Sequence, residues 1–369
     1  MSMQDNDEKN QAASNLLEPE ELAEAFLAFP PDGFEPFKIA CGNKTAYGFV
    51  TEFDIFTTVD GWAKKAYIRC VRFFPRFILK LFRPKVLFIG TTVTEYSPLP
   101  YEASPKKFAD ELLAQFSKMQ LPFLIVKDIP FESPLLSVNE NSHSLNIIKH
   151  LEDSGFTRLS GQALSYVPIN FSSIEDYLQR FSRSRRKDFK RKLRSRSELS
   201  VEDIKTGDAF FSDDTIDLLY SLYSNVYEQS YIHFDKLSRD FFATVFRDSN
   251  GGIVFVYKCK DKIIGFNLCF VYRNALVDKY VGFVYPDSME LNLYFVSWFN
   301  NLEYCIKRGF KTYIAGWTDP EVKAYLGADF TFTYHCFFAK SRFLRLILQK
   351  IKGLFESDKR HNTTNRIEH

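Results

Sequence analysis

The stretch from Gly252 to Ala339 constrains the fold most, because few architectures accept its order of elements. Gly252 to Lys258 and Lys262 to Tyr272 are runs rich in β-branched and aromatic residues that meet at Cys259-Lys260-Asp261-Lys262, which predicts a tight hairpin. Ala275 to Tyr285 reads as a third strand stopped by Pro286, and Leu291 to Arg308 as a long helix closed at Gly309. A strand at Lys311 to Gly316, a helical turn at Glu321 to Leu326 and a last strand at Phe330 to Ala339 complete the series. Three antiparallel strands followed by helix, strand, turn and strand imply a mixed sheet with helices on its faces.

The upstream half alternates in the same way. Thr45 to Phe53, Lys85 to Gly90, Leu121 to Lys127 (stopped by Pro130) and Gln162 to Ile169 read as strands. Between them lie a basic helical segment from Trp62, an amphipathic helix at Lys106 to Met119 and a helix at Ser144 to Asp153 ended by Gly155. Ile174 to about Leu199, Asp214 to Gln229 and Arg239 to Arg247 are further helices. A chain of 369 residues accommodates two domains. The expected division is a mostly disordered leader at 1–33 with a short helix at Leu17 to Leu27, a first lobe at 34–170, a second lobe at 171–340, and a basic amphipathic helix with a disordered tail at 341–369.

Composition narrows the class. Apolar and charged contents are those of a folded soluble protein, while 39 Phe and 19 Tyr imply an aromatic core. The six cysteines form no C-x-x-C pair, so buried thiols are expected rather than disulfides or a metal site. The N-terminus lacks the basic and apolar regions of a secretory signal, and no 18-residue apolar stretch occurs, so a cytoplasmic location is expected.

Charge is concentrated in one place. Arg183 to Arg196 carries nine Lys or Arg and a single Asp, about +8, against +2 for the whole chain. Positions 183, 186, 187, 190, 191 and 194 recur at three and four residues on one broad helical face, where like charges repel unless an anion is present. Contact with phosphate, nucleic acid or an anionic surface is expected, with a solvated helix face as the alternative. Two other stretches, Gly61 to Thr94 and Lys340 to Phe355, lack any acid. In the second, Leu344, Ile347, Ile351 and Leu354 form an apolar stripe beside Arg342, Arg345 and Lys352, a pattern suited either to an anionic bilayer surface or to completing the core.

Several segments in order carry a resemblance: Leu151 to Phe156, "FSSIEDYLQRFSRSRRKDFKRKLR" (Phe171 to Arg194), "IIGFNLCF" (Ile263 to Phe270), "KYVGF" (Lys279 to Phe283) and "GWTDPEVKAYLGADF" (Gly316 to Phe330). Across roughly 144–340 the chain resembles the GCN5-related acetyltransferase (GNAT) superfamily, and within it the FemAB-like acyltransferases and related peptidoglycan-biosynthesis proteins. The resemblance implies an α/β (α+β) fold of two GNAT-like lobes, each a mixed, mostly antiparallel sheet flanked by helices. It also implies transfer of an acyl or aminoacyl group from acyl-CoA or aminoacyl-tRNA to an amine acceptor, such as an envelope precursor, without a metal. Partners expected on this reading are the donor, the acceptor, and tRNA or the inner membrane surface.

The site residues follow partly from that resemblance. Lys323, in Val-Lys-Ala-Tyr-Leu-Gly, matches the lysine thought to stabilise the oxyanion; a compact ammonium suits that work. Tyr280 and Asp278 lie on the strand that splays in GNAT folds, and by strand periodicity are expected to share one face. Trp317 adjoins the Lys323 turn, and Asp319 is an expected N-cap. His233, grouped with Tyr227 and Tyr231, is the candidate general base. Arg185, Arg186, Lys190 and Arg191 are the candidate phosphate ligands. The loop Tyr285 to Asn292, where GNAT enzymes hold a pyrophosphate, has no glycine and carries Asp287 and Glu290, which disfavours coenzyme A. The alternative is therefore a non-catalytic GNAT scaffold that binds nucleic acid or anionic membrane through its basic helices.

Overall fold

A computed structural model describes residues 15–41, 44–53, 83–100, 104–230 and 233–351. The basic segment from Trp62 through 82, Tyr231 and the tail after 351 lie outside these residues. The chain forms two compact units, one comprising 1–16, 33–163 and 331–369, the other 17–32 and 164–330.

In the first unit, β1 (Glu35–Cys41) and β2 (Lys44–Glu52) form a hairpin, and β2 pairs antiparallel with β3 (Lys85–Ile89). A right-sized crossover through α2 (Pro105–Lys118) returns the chain to β4 (Phe123–Phe131), parallel to β3. Phe108, Ala109, Leu112 and Phe116 recur along α2 at helical spacing and fill the core against Leu87, Leu124 and Val126. A full capping box between Ser137 and Glu140 starts α3 (Val138–Asp153), six residues earlier than expected. Pro130 does not stop β4: it lies opposite Thr333 of β11 (Asp329–Ala339), and the strand continues to Phe131, opposite Phe332. It is tolerated there because pairing with β3 ends at Ile89 and Val126, so that edge needs no donor. Lys127 and Asp128 together face the single residue His335, a bulge in which Asp128 takes φ 47°.

In the second unit the strand order is the latter part of β5 (Thr157–Pro168), β10 (Thr312–Gly316), β9 (Ala275–Phe283), β8 (Lys262–Tyr272), β7 (Gly252–Cys259) and β6 (Ser200–Lys205). The expected hairpin forms, with Lys260 and Asp261 left-handed, and Arg273 and Asn274 make the same kind of turn between β8 and β9. The long helix α9 (Leu293–Arg308) buries Val296, Phe299 and Leu302 in the core. Against β9 lies α6 (Asp213–Gln229), so close that a Cβ on Gly282 would sit 2.7 Å from the Tyr223 amide nitrogen. Next to α6 runs α7 (Arg239–Arg247), which packs on α1 (Glu20–Ala28).

Three expectations are corrected. Within the leader, residues 15–28 are packed, with Leu16, Leu17, Leu22 and Phe26 buried, because its helix has an apolar face to cover. The helix expected across 174–199 is three pieces, α4 (Ile174–Leu178), α5 (Arg183–Lys192) and a 3₁₀ turn (Leu193–Glu198), because Ser182 accepts from the Arg185 amide and restarts the helix. The division at 170/171 is replaced by an exchange: residues 331–339, the bulk of the last strand, belong to the first unit, and the latter half of β5 belongs to the second.

Candidate active site at the fork between two strands

Parallel pairing of β9 with β10 covers only Ala275 with Thr312, Leu276 with Tyr313 and Val277 with Ile314. Beyond Val277 the strands part, and β9 continues to Phe283 without a paired strand on that side among the described residues. The separation coincides with a bulge. Cys269 faces Asp278 and Leu268 faces Tyr280, so Lys279 is the extra residue. One extra residue reverses the alternation, and Asp278 and Tyr280 therefore point to opposite faces, contrary to expectation. Tyr280 packs edge-on against Phe242 of α7, ring centroids 5.4 Å apart, and against Tyr223 of α6 at 6.1 Å.

Asp278 enters the opposite layer as the acceptor of a polar cluster. Its Oδ1 takes a hydrogen bond from Asn267 Nδ2 at 2.6 Å, and its Oδ2 takes bonds from Tyr313 Oη at 2.7 Å and Asn301 Nδ2 at 3.2 Å. Asn301 also donates to Asn267 Oδ1 at 2.8 Å, and the Cys269 thiol approaches the same oxygen at 3.3 Å. Burial, reinforced by the Asp278 charge, pushes the Tyr313 phenol far above its ordinary range and keeps it a donor. Tyr294 is raised likewise, by burial and then by the charges of Asp278 and Asp319. Asn267, Asn301 and Tyr313 were not singled out from sequence. Asn267, a polar residue inside the apolar run Ile263 to Phe270, was nevertheless a visible signal.

Lys323 lies on α10 (Pro320–Leu326), in the crossover that leaves the fork, and is 4% exposed. Gly316 ends β10 at φ +78°; a Cβ there would lie 3.8 Å from Lys323 Nζ and 3.7 Å from the Asp278 carbonyl oxygen. The ammonium and the Asp278 backbone thus flank one point at the mouth of the fork. Half-buried Trp317 follows directly. Asp319 occupies the N-cap position but is left-handed at φ 51° and makes no side-chain cap, so the preceding turn and Pro320 start this helix. At the far end, Tyr177 Oη donates to the Leu326 carbonyl at 2.5 Å, and a Cβ on Gly327 would collide with Tyr177 and Phe181.

The basic run is fastened to this same helix. Tyr325 donates to Asp188 Oδ2 at 2.9 Å, while Arg191 and Lys192 reach Asp188 at 2.7 and 3.0 Å. Those two cations, with Tyr325 adding to them, hold the Asp188 carboxyl down at about 2. The single acid of the run does engage neighbouring cations. Arg185 lies 4.9 Å from the Tyr325 ring and Arg186 donates to the Phe181 carbonyl at 3.0 Å, so both are half-buried and structural in their contacts. Lys190 and Arg191 remain exposed, as do Arg183, Lys187 and Arg194. Lys190, Arg194, Arg196 and Lys307 line a groove of about 520 Å³ whose acids are Glu175 and Glu303, the latter paired with Arg196.

Of the remaining candidates, Tyr231 lies outside the described residues, and the Tyr227 ring lies 6.2 Å from that of Tyr223, which in turn reaches Tyr280 at 6.1 Å. His233 is exposed, with Nε2 2.9 Å from the Tyr227 carbonyl and its ring 5.1 Å from that of Tyr227, forming a surface group at the end of α6. Asp287 and Glu290 are exposed on a separate turn, α8 (Asp287–Glu290), and the first turn of α9 carries no acid. Among the described residues, no three His, Cys, Asp or Glu side chains are placed to hold a metal ion, and no helix is long and apolar enough to cross a membrane.

The fold is similar to that of FemX, with a TM-score of 0.53 at 12% identity over 95% of this chain and 98% of that one. L-PGS from Bacillus licheniformis gives 0.53 at 11% identity over 92% and 98%. A conserved protein of unknown function from Bacteroides thetaiotaomicron gives 0.51 at 9% identity over 92% and 98%. No curated protein sequence matches the chain. A family model does match, over residues 125–363, a span that holds the fork, Lys323 and the basic run: the chain belongs to the FemAB-like family, described as peptidoglycan biosynthesis/recognition.

Proposed function

We propose that the protein is an acyltransferase of cell-envelope biosynthesis that moves an acyl or aminoacyl group from an activated donor to an amine acceptor, with Lys323 as the oxyanion partner. The observation that carries this reading is a nearly inaccessible lysine, 4% exposed, whose ammonium lies close to Gly316 beside the parting strands. Attack of the amine lone pair on the donor carbonyl forms a C–N bond and places negative charge on oxygen. An ammonium already positioned in a partly dry site stabilises that charge without reorganising. Collapse expels the donor's ester oxygen or thioester sulfur, and the proton lost by the amine goes to that leaving group. The exposed cations Lys190, Arg191 and Arg194 supply contacts for donor phosphates, while Arg185 and Arg186 hold α5 in place. Membership of the FemAB-like family supports the envelope assignment.

The choice between an aminoacyl-tRNA and an acyl-CoA donor leans to the former. Exposed Asp287 and Glu290 precede α9, and two carboxylates there repel a pyrophosphate. The same pair favours the second reading, a binding protein without catalysis.

The test offers radiolabelled amino acids on a charged total-tRNA pool, and separately acetyl-CoA, to a nucleotide-linked muropeptide. Transfer from the charged tRNA is expected, and Lys323→Ala should reduce it about 10²–10³-fold. Lys323→Arg should not restore it, since a planar guanidinium does not match a compact ammonium. Full activity of Lys323→Ala would remove the catalytic assignment.

A further inference from the structure

The helix after the last strand leaves large apolar side chains exposed. In a helix packed on a protein surface, apolar side chains turn inward and cations outward. In the first turns of α11 (Arg342–Ile351) Leu344 and Arg345 are half-buried, while Arg342, Phe343 and Leu346 are exposed. Arg345 is half-buried: its guanidinium lies 4.8 Å from the Phe338 ring, and a Cβ on Gly155 would meet its Nη1 at 3.2 Å. Phe343 and Leu346, three residues apart and so on one side of the helix, are 71% and 60% exposed. The entry to the helix is fixed, because Lys340 Nζ donates to the carbonyls of Ser117 at 3.1 Å and Met119 at 2.7 Å. Phe343 and Leu346 therefore project from a fastened turn rather than from a loose end.

The charge around this apolar pair has one sign. Lys340 to Phe355 contains five Lys or Arg and no Asp or Glu, and Arg342 beside Phe343 is exposed. A second copy of this chain would bring the same positive charge to the contact, whereas an anionic lipid surface would satisfy both features. Aromatic and leucine side chains enter the boundary between headgroups and acyl chains, while Lys and Arg meet lipid phosphates.

We propose that α11 is an interfacial anchor through which the protein docks on an anionic bilayer, with Phe343 and Leu346 inserted and Arg342 at the headgroups. The anchor sits in the first unit and does not depend on the chemistry assigned to the fork.

Vesicle co-sedimentation of the full chain tests it, using phosphatidylcholine alone and phosphatidylcholine with about 30 mol% phosphatidylglycerol, a charge density like that of anionic leaflets. Binding is expected only to the anionic vesicles and should weaken as salt rises. The double variant Phe343→Ser/Leu346→Ser should lower partitioning roughly tenfold or more, from the apolar area withdrawn from the interface. Both residues are exposed, so an unchanged thermal midpoint is expected and shows that the loss is not unfolding. Phe343→Trp should give a blue-shifted emission on adding anionic vesicles. Absence of wild-type binding, equal binding of the double variant, or a dimer in solution that this variant dissociates would each overturn the proposal, the last by identifying a second copy as the occupant.

Discussion

Asp278→Asn is the sharpest test of how the fork is held. The two side chains are nearly the same size, so the change alters hydrogen bonding and charge but little volume. Among the described residues, the Asp278 carboxylate accepts hydrogen bonds from Asn267, Asn301 and Tyr313. An asparagine can keep its oxygen at the Oδ2 position and retain Tyr313 and Asn301. Its NH₂ then faces Asn267 Nδ2, donor against donor, across what was a 2.6 Å bond. Asn267 cannot simply rotate its amide, because its Oδ1 already accepts from Asn301 at 2.8 Å and lies 3.3 Å from the Cys269 thiol. One charge-assisted bond is lost and at least one buried donor is stranded, a cost of about 2–4 kcal/mol. Such a loss is a large fraction of a stability of roughly 5–15 kcal/mol. The second unit should melt about 5–12 °C lower by calorimetry, at a few degrees per kcal/mol for a domain of this size. Asn301→Leu in the same background should cost less than it does alone, since the two residues share the network. A midpoint within about 1 °C of wild type, well inside the expected shift, would show that the carboxylate does not organise the fork.

Gly316→Ala forces a left-handed alanine at φ +78°, a cost of about 1–2 kcal/mol; its methyl would meet Lys323 Nζ at an ordinary contact distance of 3.8 Å, so the perturbation acts through the strained backbone at the end of β10. Transfer measured with the charged-tRNA assay should fall about ten- to a hundredfold from misplacement of the ammonium; a full rate with a lowered melting point would separate Gly316 from the site. In the first unit, the Asp128 amide donates to His335 Nδ1 at 3.0 Å, which needs an unprotonated ring nitrogen. Burial sets the imidazole below its ordinary value of 6.5, with Asp128 opposing and Lys127 adding to the shift. The unfolded chain therefore binds this proton first, and stability should fall as pH drops through about 6.5. His335→Asn retains an acceptor for the Asp128 amide without the titration and should flatten that part of a pH series of urea midpoints; an unchanged slope would assign it to another group.

Elements whose pattern is local were legible. The apolar spacing of α2, the turn residues of the β7–β8 hairpin and the glycine closing α9 each act within a few residues of themselves. What failed depends on partners distant in the chain. Ser200–Lys205, rich in charged residues, drew no expectation of a strand, yet it pairs along β7 as an edge strand. Residues 330–339 announce a strand without naming its neighbour, and only β4, some two hundred positions upstream, assigns most of it to the first unit.

The site divides along the same line. The basic run was visible in sequence because nine cations in fourteen residues are a local fact, while Lys323 was reached through the resemblance of its helical turn to a family motif. That they share one assembly is a tertiary fact, made by Tyr325 bonding Asp188. The bulge at Lys279 is another. A strand read alone alternates strictly, and only its register against β8 reveals the extra residue that sends Asp278 inward to Asn267, Asn301 and Tyr313 while Tyr280 turns to α6 and α7. Sequence by itself determined the order of elements and the charged run, because propensity and periodicity are written in neighbouring residues. Tertiary structure alone decided which faces and which partners those residues meet, because hydrogen-bond register and close packing are set by chain segments that sequence order keeps apart.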